Sequence, residues 1–174
     1  QRLIENLLDY NQLLHRDEVT PRAVDLAPLI ADVLDSHRLS FKRHGLAATL
    51  RDEQAQWVLD AGKLRAALDN LVSNAANYAS EDSEVLIHWH VRRNVLTIDV
   101  ANQGSFIPED EAERIFEPFF QGSTSRRGAI KGSGIGLSVA RECIESQGGS
   151  LRLVHRRGYG ACFRSTLPCL EAIE

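Results

Sequence analysis

A chain of 174 residues, 43% hydrophobic and 25% charged, can bury roughly 70% of its unfolded surface in one domain, which excludes disordered, collagen-like and disulfide-stapled scaffolds. Its 20 basic and 24 acidic side chains leave a net charge of −4, so there is no basic footprint for nucleic acid. No apolar run reaches the ~18 residues of a membrane span, and Cys143, Cys162 and Cys169 lack metal-ligand spacing, which predicts reduced thiols acting as small buried hydrophobes.

There is no methionine, and Gln1 opens directly onto a helical pattern, so the chain is expected to be a piece of a longer protein. Leu3, Leu7, Tyr10 and Leu14 recur at 4-3-4 spacing, with Ile4 and Leu8 widening the stripe, as in a helix of a bundle or coiled coil. Alone it is too short to be stable, so its partners are expected upstream or on another copy. The stretch from Asp17 to Pro21 breaks the pattern. A second helix is predicted with Asp25 as N-cap, burying Leu26, Leu29, Ile30, Val33, Leu34 and Phe41 and ending at Gly45.

Short strands are predicted at 46–50 and 56–59, then a helix from Lys63 to Tyr78 with a stripe of Leu64, Ala67, Leu68, Leu71, Val72 and Ala75. Val85–Val91 and Val95–Ala101 alternate as strands joined through Arg92–Asn94. A short helix near Glu109–Ile115, an irregular stretch at Gln121–Lys131, and a helix from Gly136 to Gln147 stopped by Gly148-Gly149 follow, then strands at 150–155 and 161–167. The fold class is α/β, helices layered on a mixed sheet.

Four constellations carry chemistry. Asn70, Asn74 and Asn77 share one helical face beside the apolar stripe, where an ordinary solvated face would more often carry Glu, Lys or Gln. Carboxamide oxygens suit a hard cation such as Mg²⁺ that shares phosphate oxygens. Gly132-Ser133-Gly134-Ile135-Gly136-Leu137 precedes the last helix and can present bare backbone N–H groups to an anion, with Arg126, Arg127 and Lys131 just ahead of it. Asn102-Gln103-Gly104, followed by Ile107-Pro108, places a polar side chain at a strand end beside a glycine turn, suited to a base edge. Phe116-Glu117-Pro118-Phe119-Phe120 is an aromatic cluster that anchors the following loop or simply packs in the core.

In this order the segments resemble the catalytic and ATP-binding domain of bacterial two-component sensor histidine kinases, of the GHKL (Bergerat) ATPase class, over about residues 25–168. Asn70–Ala75 looks like the N box, Asn102–Ile107 like the first glycine box, Phe116–Phe119 like the F box, Gly132–Leu137 like the second glycine box, and Gly158–Phe163 with Leu167-Pro168 like the usual ending. The resemblance implies an α/β sandwich holding Mg-ATP under a flexible lid. Asn74 would be the metal ligand. Asn70 and Asn77 would line the phosphate path, Tyr78 would pack near the nucleoside, and Asn102, Gly104, Ile107 and Phe119 would complete the nucleotide site. Arg126, Arg127, Lys131 and the 132–137 turn would hold the phosphates, with Asn70 and Lys131 the candidate catalytic residues.

The resemblance further implies that residues 1–16 end a dimerisation hairpin helix, 17–24 are a linker and 25–174 the catalytic domain. The phospho-accepting histidine would lie on an absent helix; His15, His37, His44, His88, His90 and His155 read as structural or exposed. Implied partners are those helices, a response regulator and a second copy in the full-length protein, which is expected to be anchored in the inner membrane with this portion cytoplasmic. Hydrolytic relatives such as gyrase and heat-shock chaperones carry a Glu base one turn before the metal Asn. Asn70 stands there instead, which favours transfer to a protein nucleophile over hydrolysis. Two positions depart from the pattern: Asn102 replaces the usual Asp, though an amide oxygen still accepts a hydrogen bond, and Phe106 replaces the second glycine. They support a rival reading, a degenerate nucleotide-sensing or scaffolding module.

Overall fold

The computed structural model describes residues 18–51, 55–104, 106–118, 120 and 136–173. The chain enters through strand β1 (Arg22–Asp25), which pairs antiparallel with β3 (Gln56–Leu59). Helix α1 (Leu26–Ser36) buries Leu26, Leu29, Ile30 and Val33. Asp25 precedes it in extended conformation but makes no side-chain cap; the Leu26 N–H donates to the Ala55 carbonyl at 3.2 Å. The single helix expected up to Phe41 breaks at His37, and a separate short helix, α2 (Arg38–Arg43), buries Phe41. His37 Nε2 lies 2.6 Å from the Asp69 carboxylate, a tether to the next long helix that periodicity does not reveal.

Strand β2 (Ala47–Arg51) runs parallel to β4 (Glu84–Arg92), which forms a hairpin with β5 (Val95–Asn102). The turn residues Arg93 and Asn94 both have positive φ, 51° and 60°, matching the twist of a two-residue hairpin loop. Strands β6 (Ser150–Val154) and β7 (Ala161–Pro168) complete a five-stranded mixed sheet of order β2-β4-β5-β7-β6. Helix α3 (Ala61–Tyr78) and helix α4 (Gly136–Glu145) lie on one face, over Val85, Ile87, Trp89, Leu96, Ile98, Val100, Phe163 and Leu167. Two 3₁₀ turns, Glu109–Glu111 and Arg114–Phe116, replace the short helix expected near 109–115. Helix α4 ends at Glu145, two residues before the expected Gln147; Gly148 has φ +83°. No described helix is long and apolar enough to cross a membrane.

The opposite face of the sheet carries a small cluster of Leu86, Ala101 and Cys162 and one buried charge, Asp99. Arg164 grips Asp99 in a fork, Nε to Oδ1 at 2.8 Å and Nη2 to Oδ2 at 2.9 Å, and Arg156 Nη1 adds a bond of 2.9 Å to Oδ2. Burial by itself would push this carboxyl up, but the hydrogen bonds and charges of Arg164 and Arg156 outweigh it and hold the group below its ordinary value. A lowered folded value means that the stabilisation is complete above the ordinary carboxylate range and is lost as the pH falls through the folded value. Asp99→Ala is expected to cost about 2–4 kcal/mol at pH 7, less than a fully buried pair because both arginines are partly solvated. Urea unfolding should show that difference, and it should shrink below about pH 4.

The three cysteines are free, but they do not share one environment. Cys143 and Cys162 are buried as expected, whereas Cys169 is exposed, since β7 ends before it. Burial and the nearby Asp99 charge push the Cys162 thiol up to about 12. Among the described cysteines, thiol-reagent titration of the native protein at pH 8 should label Cys169 fast. Cys143 and Cys162 should react only on unfolding.

Candidate functional site

Helix α3 forms one wall. Its N-cap is Asp60, whose carboxylate accepts the Lys63 N–H at 3.0 Å. Leu64, Ala67, Leu68, Leu71, Val72 and Ala75 are buried against the sheet, and Asn70, Asn74 and Asn77 sit half-buried along the border of that stripe, as 4 and 3 spacing requires. Asn70 Nδ2 donates to the Ala66 carbonyl at 2.8 Å, which fixes the amide and directs Oδ1 away from the helix backbone.

That oxygen faces the start of α4. A Cβ built on Gly136 would stand 3.1 Å from Asn70 Oδ1, so the start of α4 packs closely on this amide, and a side chain there would make the Asn70 tip shift slightly. The first-turn N–H groups of α4, the positive end of its dipole, therefore begin beside the amide row. Leu137 packs on the core at this junction.

The other end of the wall is built from β5. Asn102 is only 1% exposed; its backbone carbonyl accepts the Gly160 N–H at 3.0 Å, and its Nδ2 donates to Gln103 O at 3.3 Å. Gly104, at φ +151°, bridges antiparallel to Ala79, and the Ser80 N–H donates to Gln103 O at 2.8 Å. A Cβ on Gly104 would lie 2.7 Å from the Tyr78 carbonyl oxygen. Glycine is thus required where β5 meets the end of α3, and Tyr78 is half-buried at that corner. From Asn70 to Tyr78 the helix rises ~12 Å, which separates a polar amide end from a strand-end corner on one wall.

Ile107 packs against the core, while Phe106 is 67% exposed, so its bulk is turned to solvent. Phe116 is buried edge-on to Phe163, ring centroids 6.0 Å apart, and the Arg141 guanidinium of α4 lies 4.3 Å from the Phe116 centroid. Arg141 also bonds Glu113 at 3.1 Å. Sequence reading missed this residue; its only signal was the Arg141–Glu145 spacing on α4. Phe119, Arg126, Arg127, Lys131, Gly132, Ser133, Gly134 and Ile135 lie outside the described residues.

Among the described residues no group of three or more His, Cys, Asp or Glu forms a metal site. The donors that the α3 face offers a cation are carboxamide oxygens. That set fits Mg²⁺, which keeps most of its waters and takes its remaining ligands from phosphate, and does not fit zinc.

Comparison with known proteins agrees with this geometry. Residues 59–171 match the family model described as histidine kinase-, DNA gyrase B-, and HSP90-like ATPase. The sensor histidine kinase GlrK of Escherichia coli is 41% identical over 168 residues, 97% of this chain and 35% of that protein. The sensor protein kinase WalK of Staphylococcus saprophyticus is 29% identical over 99% of this chain and 29% of its own length. The chain thus spans about a third of these curated relatives. The catalytic domain of histidine kinase ThkA superposes with a TM-score of 0.75 at 25% identity, covering 86% of this chain and 95% of that one. Full-length ShkA in complex with AMPPNP superposes at 0.82 and 24% identity, covering 98% of this chain and 36% of that one, a likeness of fold. With its mixed sheet, its amide-bearing helix and the glycines that join them, the chain belongs to the histidine kinase-, DNA gyrase B- and HSP90-like ATPase family and has the fold of histidine kinase catalytic domains.

Proposed function

We propose that this domain binds Mg-ATP between α3 and the start of α4 and transfers the γ-phosphate to a histidine on a dimerisation helix of the same protein, for relay to a response regulator. The observation that carries the reading is the packing of Gly136 beside Asn70, close enough that a Cβ on the glycine would stand 3.1 Å from Asn70 Oδ1, which brings a helix N-terminus to the amide row. The adenine end is the Asn102, Gly104 and Tyr78 corner, where the Asn102 amide serves in place of a carboxylate.

In this reading Asn74 holds the Mg²⁺, which neutralises phosphate charge when bound. Asn70 and Asn77 line the phosphate path. The backbone of 132–136, with Lys131, Arg126 and Arg127, contributes the remaining positive potential around the transferred group. Phosphoryl transfer needs positioning and charge stabilisation more than covalent participation, and these residues supply both. Asn70 is an amide and takes no proton from water, so hydrolysis is slow and a protein nucleophile is preferred. The exposed Phe106 ring removes one support of the degenerate alternative, because its bulk does not fill the corner. The parent protein is proposed to be a dimer anchored in the bacterial inner membrane, with this domain in the cytoplasm. The histidine kinase ThkA, similar in fold at a TM-score of 0.75, has been crystallised with the response regulator protein TrrA, which supports a partner of that type.

The test is incubation of the protein with its upstream helices and γ-labelled ATP. An acid-labile, base-stable phosphoryl label on the protein is the expected result. Release of inorganic phosphate with no label, or no nucleotide binding at all, contradicts the proposal.

A further inference from the structure

The end of the α3/α4 pair away from the amide row is closed by a buried polar clasp. Asp60 is its centre: Oδ1 caps α3, Oδ2 accepts the Thr20 N–H at 2.9 Å, and its own N–H donates to Gln147 Oε1 at 2.8 Å. Gln147 Nε2 donates to the Cys143 carbonyl at 2.9 Å, and Lys63 Nζ donates to Ser146 Oγ at 2.9 Å. Asp60, Lys63 and Gln147 are each 2–3% exposed. A helix cap needs only the Lys63 N–H; this carboxylate also holds a segment 40 residues upstream, while the Asp60 backbone N–H holds the Gln147 side chain 87 residues downstream. The Ile173 N–H, bonded to the Pro21 carbonyl at 3.1 Å, ties the C-terminal segment to the same incoming stretch.

The two helices are antiparallel, since Lys63 meets Ser146 and Asn70 meets Gly136. Helix α4 is ten residues, ~15 Å, and a hydrogen-bonded helix of that length is stiff along its axis. A displacement imposed at Gln147 therefore reaches Gly136. We propose that Asp60 and Gln147 are positioning residues that couple the segment entering at Thr20 to the axial setting of α4, and so to where the Gly136 end stands against Asn70 and Asn74. In this way the pose of the upstream helices and the alignment of the triphosphate become one equilibrium. The claim rests on the ATP-site reading, and its activity readout rests on the kinase reading.

The experiment uses the full-length protein and three variants, Gln147→Leu, Asp60→Ala and Asp60→Asn. Misplacing the reacting group by a fraction of an ångström lowers turnover far more than ground-state binding. Autophosphorylation kcat is expected to fall about tenfold in Gln147→Leu and Asp60→Ala, with KM for Mg-ATP changed by less than about threefold. Asp60→Asn has one oxygen for the two N–H groups that the carboxylate serves, Lys63 and Thr20, so it keeps one of the two bonds and its kcat should fall between wild type and Asp60→Ala. Unchanged kcat in both Gln147→Leu and Asp60→Ala overturns the proposal.

A second measurement does not depend on phosphoryl transfer. Amide hydrogen exchange at Thr20 and Asp60 should slow by at least about fivefold when a non-hydrolysable Mg-ATP analogue binds, and Gln147→Leu should abolish the slowing while still binding nucleotide. Exchange that ignores nucleotide refutes the coupling. A wild type that shows the slowing but no phosphohistidine supports the clasp and contradicts the kinase reading instead.

Discussion

Asn74→Ala is expected to lower Mg-dependent ATP binding by about 10–100-fold and phosphohistidine formation by at least about 100-fold, while the fold stays intact. The side chain is half-buried on the wet border of α3, so removing it leaves no large cavity, and alanine is the better helix former. What is lost is the carboxamide oxygen proposed to hold the cation. Chelating Mg²⁺ from the wild type should reproduce the loss, and the two effects should not add, because both remove the same charge neutralisation. Asn74→Asp, which keeps an oxygen ligand, should recover a substantial part of the activity. Calorimetric titration of Mg-ATP and nucleotide alone into wild type and variants, with a labelling assay, separates these cases. Equal affinity with and without Mg²⁺ in the wild type contradicts the role given to Asn74.

Gly104→Ala is the second large effect. The new Cβ would stand 2.7 Å from the Tyr78 carbonyl oxygen, a backbone atom, at a φ of +151° that L side chains rarely adopt. Neither partner can swing aside. Relief requires β5 to withdraw from the end of α3, which breaks the Ala79–Gly104 bridge and the Ser80–Gln103 hydrogen bond. A loss of about 2–3 kcal/mol of stability and at least about tenfold in ATP affinity is expected. Gly136→Ala is an instructive contrast: its Cβ would meet the tip of the Asn70 side chain at 3.1 Å, and a side chain can turn. Urea melts and nucleotide titration should therefore rank Gly104→Ala as far more damaging than Gly136→Ala.

Elements governed by strong periodicity were legible in the residues. The stripe from Leu64 to Ala75 and the alternation from Val85 to Val100 each bury a continuous face, so α3, β4 and β5 follow from pattern alone. Strand β1 was not legible, because four residues paired only with β3 leave no alternation to read. The break at His37 has no helix-stopping residue to announce it, and the contact found there, the Asp69 tether, joins residues 32 positions apart. On the site, the amide row and the two glycine positions were visible as residue types at fixed spacing. The clasp at Asp60 was not, since its bonds join residues separated by 40 and 87 positions. The Asp99 fork escaped for the same reason: its arginines come from β7 and the turn before it.

The central claim is that one pocket joins the carboxamides of α3 to the main-chain donors at the head of α4. A crystal structure of the domain with Mg²⁺ and a non-hydrolysable ATP analogue tests it directly. The account predicts Asn74 Oδ1 on the metal at about 2.1 Å, phosphates against the turn leading into Gly136, and the base beside Asn102. Nucleotide bound elsewhere, or a metal ligated without any α3 amide, would contradict it.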